Sequence, residues 1–258
     1  MKAPWEIVKG DGPVIATAIH DGHEVRDQIK DKLKVSDIQR MREEDPFTGR
    51  WTEICDTRII VNRSRFEFDL NRPREKAVYI KPEDAWGIEV WKAKPSAEII
   101  EESLDLYDKF YSEVSELLKE KAEKCERFVV LDIHSYNYRR KGADKQENPP
   151  SLNPEVNIGT GTVDKNLWSE LVERFITDLR KFDYNGRHLD VRENVKFRGG
   201  NFSQWINREF AGKGVSIAVE FKKFFMNEWT GKPDLEKTEA LKNALSSTIP
   251  GLLDSIYI

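Results

Sequence analysis

An α/β fold, with a mixed, largely parallel sheet and helices on both faces, is what this sequence predicts. Three observations carry that expectation: short continuous apolar runs, long amphipathic stretches, and the alternation of the two along the chain. The apolar runs are Val14 to Ile19, Phe128 to Ile133 and Val215 to Val219. Their length and their content of Val and Ile suit strands covered on both faces, which have no polar side to show.

The clearest helix is predicted from about Ser96 to Cys125. There Ile100, Leu104, Tyr107, Tyr111, Val114, Leu118, Ala122 and Cys125 recur at steps of three or four, after a start marked by Pro95 and Ser96. Its other faces carry Glu101, Asp105, Lys109, Glu116 and Lys119, a solvated surface with i,i+4 ion pairs worth about 0.2–0.5 kcal/mol each. A second helix is expected from about Asp164 to Lys181, aligning Leu167, Leu171, Phe175 and Leu179, and a third from about Pro233 to Ile256, aligning Leu241, Leu245, Ile249 and Leu252 across Pro250. Between the first strand and the first of these helices, Ser64 to Pro73 alternates large and polar residues and reads as a strand that presents Arg72. Polar stretches at 92–95 and 139–154 read as loops, too short for interdomain linkers, and no internal repeat is visible, so one domain is expected to span residues 1–258.

Composition narrows the function. A chain of 258 residues can bury roughly 75% of its unfolded surface in one core. Charged residues make up 34% and hydrophobic residues 38%, which describes a well-solvated globule. The net charge of −4 offers no electrostatic footprint for nucleic acid, and the one basic cluster, Arg139-Arg140-Lys141, reads as a solvated loop beside Tyr136 and Tyr138. No apolar run is long enough for a membrane span, and the N-terminus lacks the apolar core of a signal peptide, so a cytoplasmic location is expected. Cys55 and Cys125 have no metal-cage or disulfide spacing and read as buried thiols.

The chemistry sits where the apolar runs end. Each stops on a residue able to bind a metal or move a proton: His20, His134 and Glu220. Ligands of open α/β sheets bind in the crevice at the carboxyl ends of strands, so these distant residues are expected to converge there. His20 opens the segment His20-Asp21-Gly22-His23-Glu24, which offers several possible ligands in one loop, whereas His188 has no such context and reads as structural. A catalytic zinc takes three protein ligands and lowers the pKa of a bound water from 15.7 to about 7, about 12 kcal/mol of help in making hydroxide. That is why Glu220 makes most sense beside a metal; its alternative is an ion pair with Lys222 or Lys223. Arg72 could clamp a carboxylate with Asn71 in support, and Arg198-Gly199-Gly200-Asn201 offers a second guanidinium with bare glycines beside it; a plain turn is the alternative there.

At this point the residues resemble a family. Ile19-His20-Asp21-Gly22, Glu44-Asp45, Ser64-Arg65-Phe66, Asp69 to Pro73, Asp132-Ile133-His134-Ser135, Pro154 to Gly159, Phe197 to Gly200 and Val219-Glu220 are similar, in order, to the motifs of the N-formylglutamate amidohydrolases. Those are zinc hydrolases related in fold to the zinc carboxypeptidases. The resemblance implies one Zn2+ per chain held by His20 and His134, with Glu220 as general base, and with Asn71, Arg72 and Arg198 handling substrate carboxylates and the developing oxyanion. For the remaining ligand it favours Asp45, with His23 close behind and Glu24 and Glu44 further off. Ile19 stands where the family has Pro, and the loop from Asp45 to Thr57 differs in length.

The function so implied is zinc-dependent cleavage of the amide of an N-acyl amino acid, N-formylglutamate above all, giving formate and glutamate. Its partner would be a small acidic substrate, with no nucleic acid and no membrane involved. The alternatives are a zinc carboxypeptidase or amidase acting on short peptides, and a non-catalytic relative that binds an acidic metabolite.

Overall fold

The computed structural model describes residues 2–145 and 149–256; residues 146–148 of the predicted 139–154 loop lie outside the described residues. Seven strands form one sheet: β1 (Trp5–Val8), β2 (Val14–Ala18), β3 (Thr57–Val61), β4 (Phe128–Tyr136), β5 (Val156–Gly159), β6 (Val191–Glu193) and β7 (Gly214–Lys222). Their order is β1-β3-β2-β4-β7-β5-β6. The central four, β3, β2, β4 and β7, are parallel; β1 runs antiparallel to β3, and β5 with β6 antiparallel to β7. The sheet is therefore mixed and mostly parallel.

Helices cover both faces, and the strands sort their side chains accordingly with a period of two. Val129, Leu131 and Ile133 of β4 and Val215, Ile217 and Val219 of β7 face one core. That core is completed by α3 (Thr48–Trp51), α5 (Lys165–Lys181), α7 (Leu235–Ser246) and α8 (Ile249–Ile256). Phe175 and Leu179 of α5 are fully buried there, worth about 1.5–3 kcal/mol each. Phe128 and Val130 face the other core, under α4 (Ala97–Lys124) and α6 (Asn201–Glu209). Two short helices, α1 (Asp27–Lys30) and α2 (Asp37–Glu43), precede the site loops.

Several expectations need correction. Residues 64–73 form turns rather than a strand, because side chains satisfy the backbone locally: Asn71 N donates to Asp69 Oδ1 at 2.8 Å, and Phe66 N to Ser64 Oγ at 3.2 Å. β4 and β7 do not stop at His134 and Glu220 but continue two residues past each. The predicted helix over 233–256 is two helices, with Pro250 in the first turn of the second, where its missing N–H has no helical partner to lose. Leu171, Phe175 and Leu179 are buried as expected, but Leu167 is 45% exposed, since the buried face of α5 begins at Trp168. The buried face of α4 is likewise turned toward Ile99, Phe110 and Leu117. Cys55 is buried, whereas Cys125 is only half-buried. Among the described residues no helix is long and apolar enough to cross a membrane.

Candidate active site and metal group

The site is built where β4 changes character. Its even-numbered residues begin as Phe128 and Val130 under α4, then become Asp132 and His134 on the same face. His20 follows β2 by two residues, and the backbone N–H of Asp45 donates to His20 O at 2.8 Å, which docks the loop after α2 onto it. Lys223, fully buried, secures that loop from the other side: its Nζ donates to Arg42 O and Glu44 O at 2.6 Å each, taking up carbonyls at the C-terminal end of α2.

This places Asp45 against both histidines. Asp45 Oδ2 lies 3.0 Å from His134 Nδ1 and 3.5 Å from His20 Nδ1, and Oδ1 accepts from Ser135 Oγ at 3.1 Å. One ligand atom from each of His20, Asp45 and His134 lies within 4.8 Å of the others, and all three residues are buried. The far nitrogens meet carboxylates: His20 Nε2 is 2.7 Å from Asp69 Oδ1, and His134 Nε2 is 3.1 Å from Asp132 Oδ1. Asp69 thereby favours the Nε2–H tautomer of His20, whose Nδ1 faces Asp45, as does Nδ1 of His134.

The carboxylates are themselves held. Asp69 Oδ2 accepts from Arg65 Nη2 at 2.7 Å and from the Tyr79 hydroxyl. Asp132 accepts from Thr17 Oγ1 at 3.1 Å and Ser203 Oγ at 2.8 Å. Glu220 sits beside His134 in register on β7, with Asn157 of β5 opposite it on the other side. Burial pushes the Glu220 carboxyl up to about 7, with Asp45 and Asp132 adding to the rise. Burial also works against ionisation of Asp45, but its hydrogen bonds with His134 and His20 win and hold it far below the usual carboxylate range. Burial opposes a charge on His134 too, yet Asp132 and Asp45 keep its pKa well above the ordinary value.

The donor set fits a divalent cation. Asp45, Asp69, Asp132 and Glu220 crowd four buried carboxyl groups around two imidazoles, with Arg65 the fixed cation bonded among them. Two Nδ1 atoms with one carboxylate oxygen would supply the three protein ligands of an open site.

Above this floor lies a cavity of about 250 Å³. Its lining includes His20, Asp45, Asn71, Arg72, His134, Arg198 and Glu220, but not His23, Glu24 or Glu44. His23 is outside the group; its Nδ1 is 2.5 Å from Glu44 Oε2, and its side chain is 37% exposed. Glu44 is further engaged by Ser64, and Glu24 lies 4.0 Å from Arg63. His188 is exposed, and its ring Nδ1 lies 3.1 Å from Phe182 O.

Close backbone packing sets the substrate side. A Cβ on Gly200 would lie 2.2 Å from Asn71 Oδ1, and one on Gly159 would lie 2.6 Å from Gly199 N, so these glycines let Asn71 and the Arg198 segment approach the cavity. Asn71 Oδ1 accepts from Phe202 N at 3.1 Å, in the first turn of α6. Asn157 holds the segment before Arg198, accepting from Lys196 N at 2.8 Å and donating to Phe197 O at 2.9 Å. Sequence reasoning missed Glu43, Arg65, Trp86, Arg140 and Lys223, which also line the cavity. Arg140 is not a merely solvated loop residue. Its Nη2 is 2.9 Å from Glu43 Oε2, and its guanidinium carbon is 5.8 Å from the centre of the Trp86 ring. The signal that could have found Arg140 is its position six residues after a site histidine.

The lining carries five cationic side chains, Arg65, Arg72, Arg140, Arg198 and Lys223, against the carboxyls of Glu43, Asp45 and Glu220. A small cavity at the carboxyl ends of parallel strands is where enzymes of open α/β topology take their ligands, and this one is lined by more cations than carboxyls. The model of the N-formylglutamate amidohydrolase family matches residues 12–226, and the chain belongs to that family, as a hydrolase acting on amide bonds. The crystal structure of N-formylglutamate amidohydrolase from Ralstonia eutropha JMP134 is similar with a TM-score of 0.76 at 15% identity, over 100% of this chain and 98% of that one. That of gene product Atu2144 from Agrobacterium tumefaciens is similar with a TM-score of 0.71 at 18% identity, over 100% and 97%. At these identities the likeness shows the fold. None of the curated proteins matches the chain.

Proposed function

We propose that the protein is a zinc-dependent amidohydrolase of N-acyl amino acids that cleaves N-formylglutamate to formate and glutamate. The observation that carries this reading is the buried group of His20, Asp45 and His134 with Glu220 in register beside it, under an arginine-lined cavity. Zinc held by those three residues would polarise the amide carbonyl and make water a nucleophile near neutral pH.

The chain's own residues do the rest. Arg72, supported by Asn71, clamps the carboxylate of the amino acid and sets its amide over the floor of the cavity. Glu220 takes a proton from the attacking water and later delivers it to the leaving nitrogen, so one group serves as base and then acid. Arg198, presented by the glycines around it, donates to the oxygen that becomes negative as the carbonyl carbon turns tetrahedral.

Metal content of the purified protein, measured together with glutamate release from N-formylglutamate, tests this. One zinc per chain is expected, with turnover lost on chelation and regained on adding zinc. Glu220→Gln should keep its metal and lose at least about 100-fold in kcat, the lower range for a general base. Full turnover by that variant, or by the chelated protein, contradicts the proposal.

A further inference from the structure

Resting on that reading, the geometry points to Arg140 as the residue that selects a second carboxylate on the substrate, so that the site takes N-acyl derivatives of acidic amino acids in preference to neutral ones. The first carboxylate is engaged by Arg72 and Asn71. A diacid then needs another cation on the lining, and the remaining ones differ in how much donor capacity they keep.

Arg65 has little. Its Nη2 bonds Asp69 at 2.7 Å, its Nε lies 3.2 Å from the Tyr79 hydroxyl and its Nη1 donates to Glu43 O at 3.2 Å. Lys223 is 1% exposed and has two of its three N–H groups directed at backbone carbonyls. Arg198 lies among the glycines on the Asn71 side of the cavity. Arg140 differs. Its side chain is 41% exposed, and among the described residues its hydrogen bonds go to Glu43 alone, through Nη1 at 3.2 Å and Nη2 at 2.9 Å. A guanidinium has five N–H donors, so donors remain after that pair is made.

Glu43 and Trp86 hold the guanidinium in place. Glu43 is 5% exposed, a buried anchor for one edge. The Trp86 ring has Arg65 at 4.8 Å and Arg140 at 5.8 Å from its centroid, which stacks the two arginines about one aromatic side chain. A planar, prepositioned guanidinium suits bidentate capture of a carboxylate, whereas the neutral amide of a glutamine derivative offers it only one acceptor oxygen.

The test compares N-formylglutamate with N-formylglutamine on the zinc-loaded protein and its Arg140→Met and Arg140→Lys variants. The ratio of kcat/KM for the diacid over its amide should fall about 10- to 100-fold in Arg140→Met, the loss expected for a hydrogen bond to a charged group, and part of it should return in Arg140→Lys. Glutarate binding, followed by calorimetry, should weaken by a similar factor in Arg140→Met. An unchanged ratio, or equal loss on both substrates, overturns the inference while leaving the amidohydrolase reading intact. Should the wild type cleave neither compound, that reading fails, and glutarate calorimetry alone decides whether Arg140 binds a second carboxylate.

Discussion

The floor of the cavity and its rim are built on opposite principles. On the floor, His20, Asp45, His134, Asp69 and Asp132 are each 3% exposed or less, and both nitrogens of each histidine face a carboxylate. At the rim, Arg72 and Arg140 have side chains 42% and 41% exposed, and Trp86 is 42% exposed. Side chains that must meet around one point are buried and locked by a second layer of bonds, whether they stand on β4 or on loops docked against it, whereas those that must follow a substrate stay half-exposed at the rim. The contrast implies that floor substitutions act on metal affinity and stability, and rim substitutions on substrate affinity.

The sharpest way to break that contrast is Asp69→Asn. It removes the charge partner of Arg65 and the negative charge that orients His20, so metal affinity should fall about 10- to 100-fold, as for other groups that orient a metal ligand. Breaking a buried pair costs about 3–5 kcal/mol, which lowers Tm by roughly 10 °C in a chain this long. Metal titration and thermal unfolding check both; an unchanged metal affinity would mean that the floor is not organised from below. Arg72→Met should do less and do it elsewhere. KM for N-formylglutamate is expected to rise about 10- to 100-fold with Tm unchanged, because the only ion pair of Arg72 among the described residues, with Asp69, is long at 3.8 Å and half-exposed. Loss of metal in that variant would erase the division between floor and rim. Smallest of all should be Trp86→Ala, where stacking under Arg65 and Arg140 is worth about 0.5–1 kcal/mol each; KM is expected to rise about threefold to tenfold with zinc content intact.

Much of the floor was legible in the residues, because covered strands must be apolar for their whole length and a His or Glu interrupting such a run stands out, as at His134 and Glu220. Helix periodicity located α4 and α5 to within a residue or two and found part of each buried face, such as Val114, Leu171 and Phe175, but not its full extent, since Leu167 is as apolar as Trp168 and only packing chooses between them. The edges of the sheet left little trace: β5 and β6 have four and three residues, too few for a pattern. Segment 64–73 misled because its alternation is that of a strand, while its Asp69 and Ser64 side chains bond nearby backbone instead.

The rim was harder to read for a physical reason. An arginine on a loop carries no periodic signature, so Arg140 looked like part of a solvated basic run until Glu43, 97 residues away, was found against it. The choice between Asp45 and His23 beside the two histidines was equally closed to local reasoning. Both follow His20 in sequence, but a backbone bond from Asp45 to His20 and the grip of Lys223 on the residues before it bring Asp45 inward, while Glu44 and Arg40 engage His23 outside.

Local patterning by itself determined the strands β2, β4 and β7, the long helices and the candidate residues at those strand ends, since those follow from which side chains must avoid water. Tertiary structure decided between Asp45 and His23 beside the histidines and brought Arg65 and Arg140 to the cavity, because such choices depend on bonds between residues that only folding brings within reach.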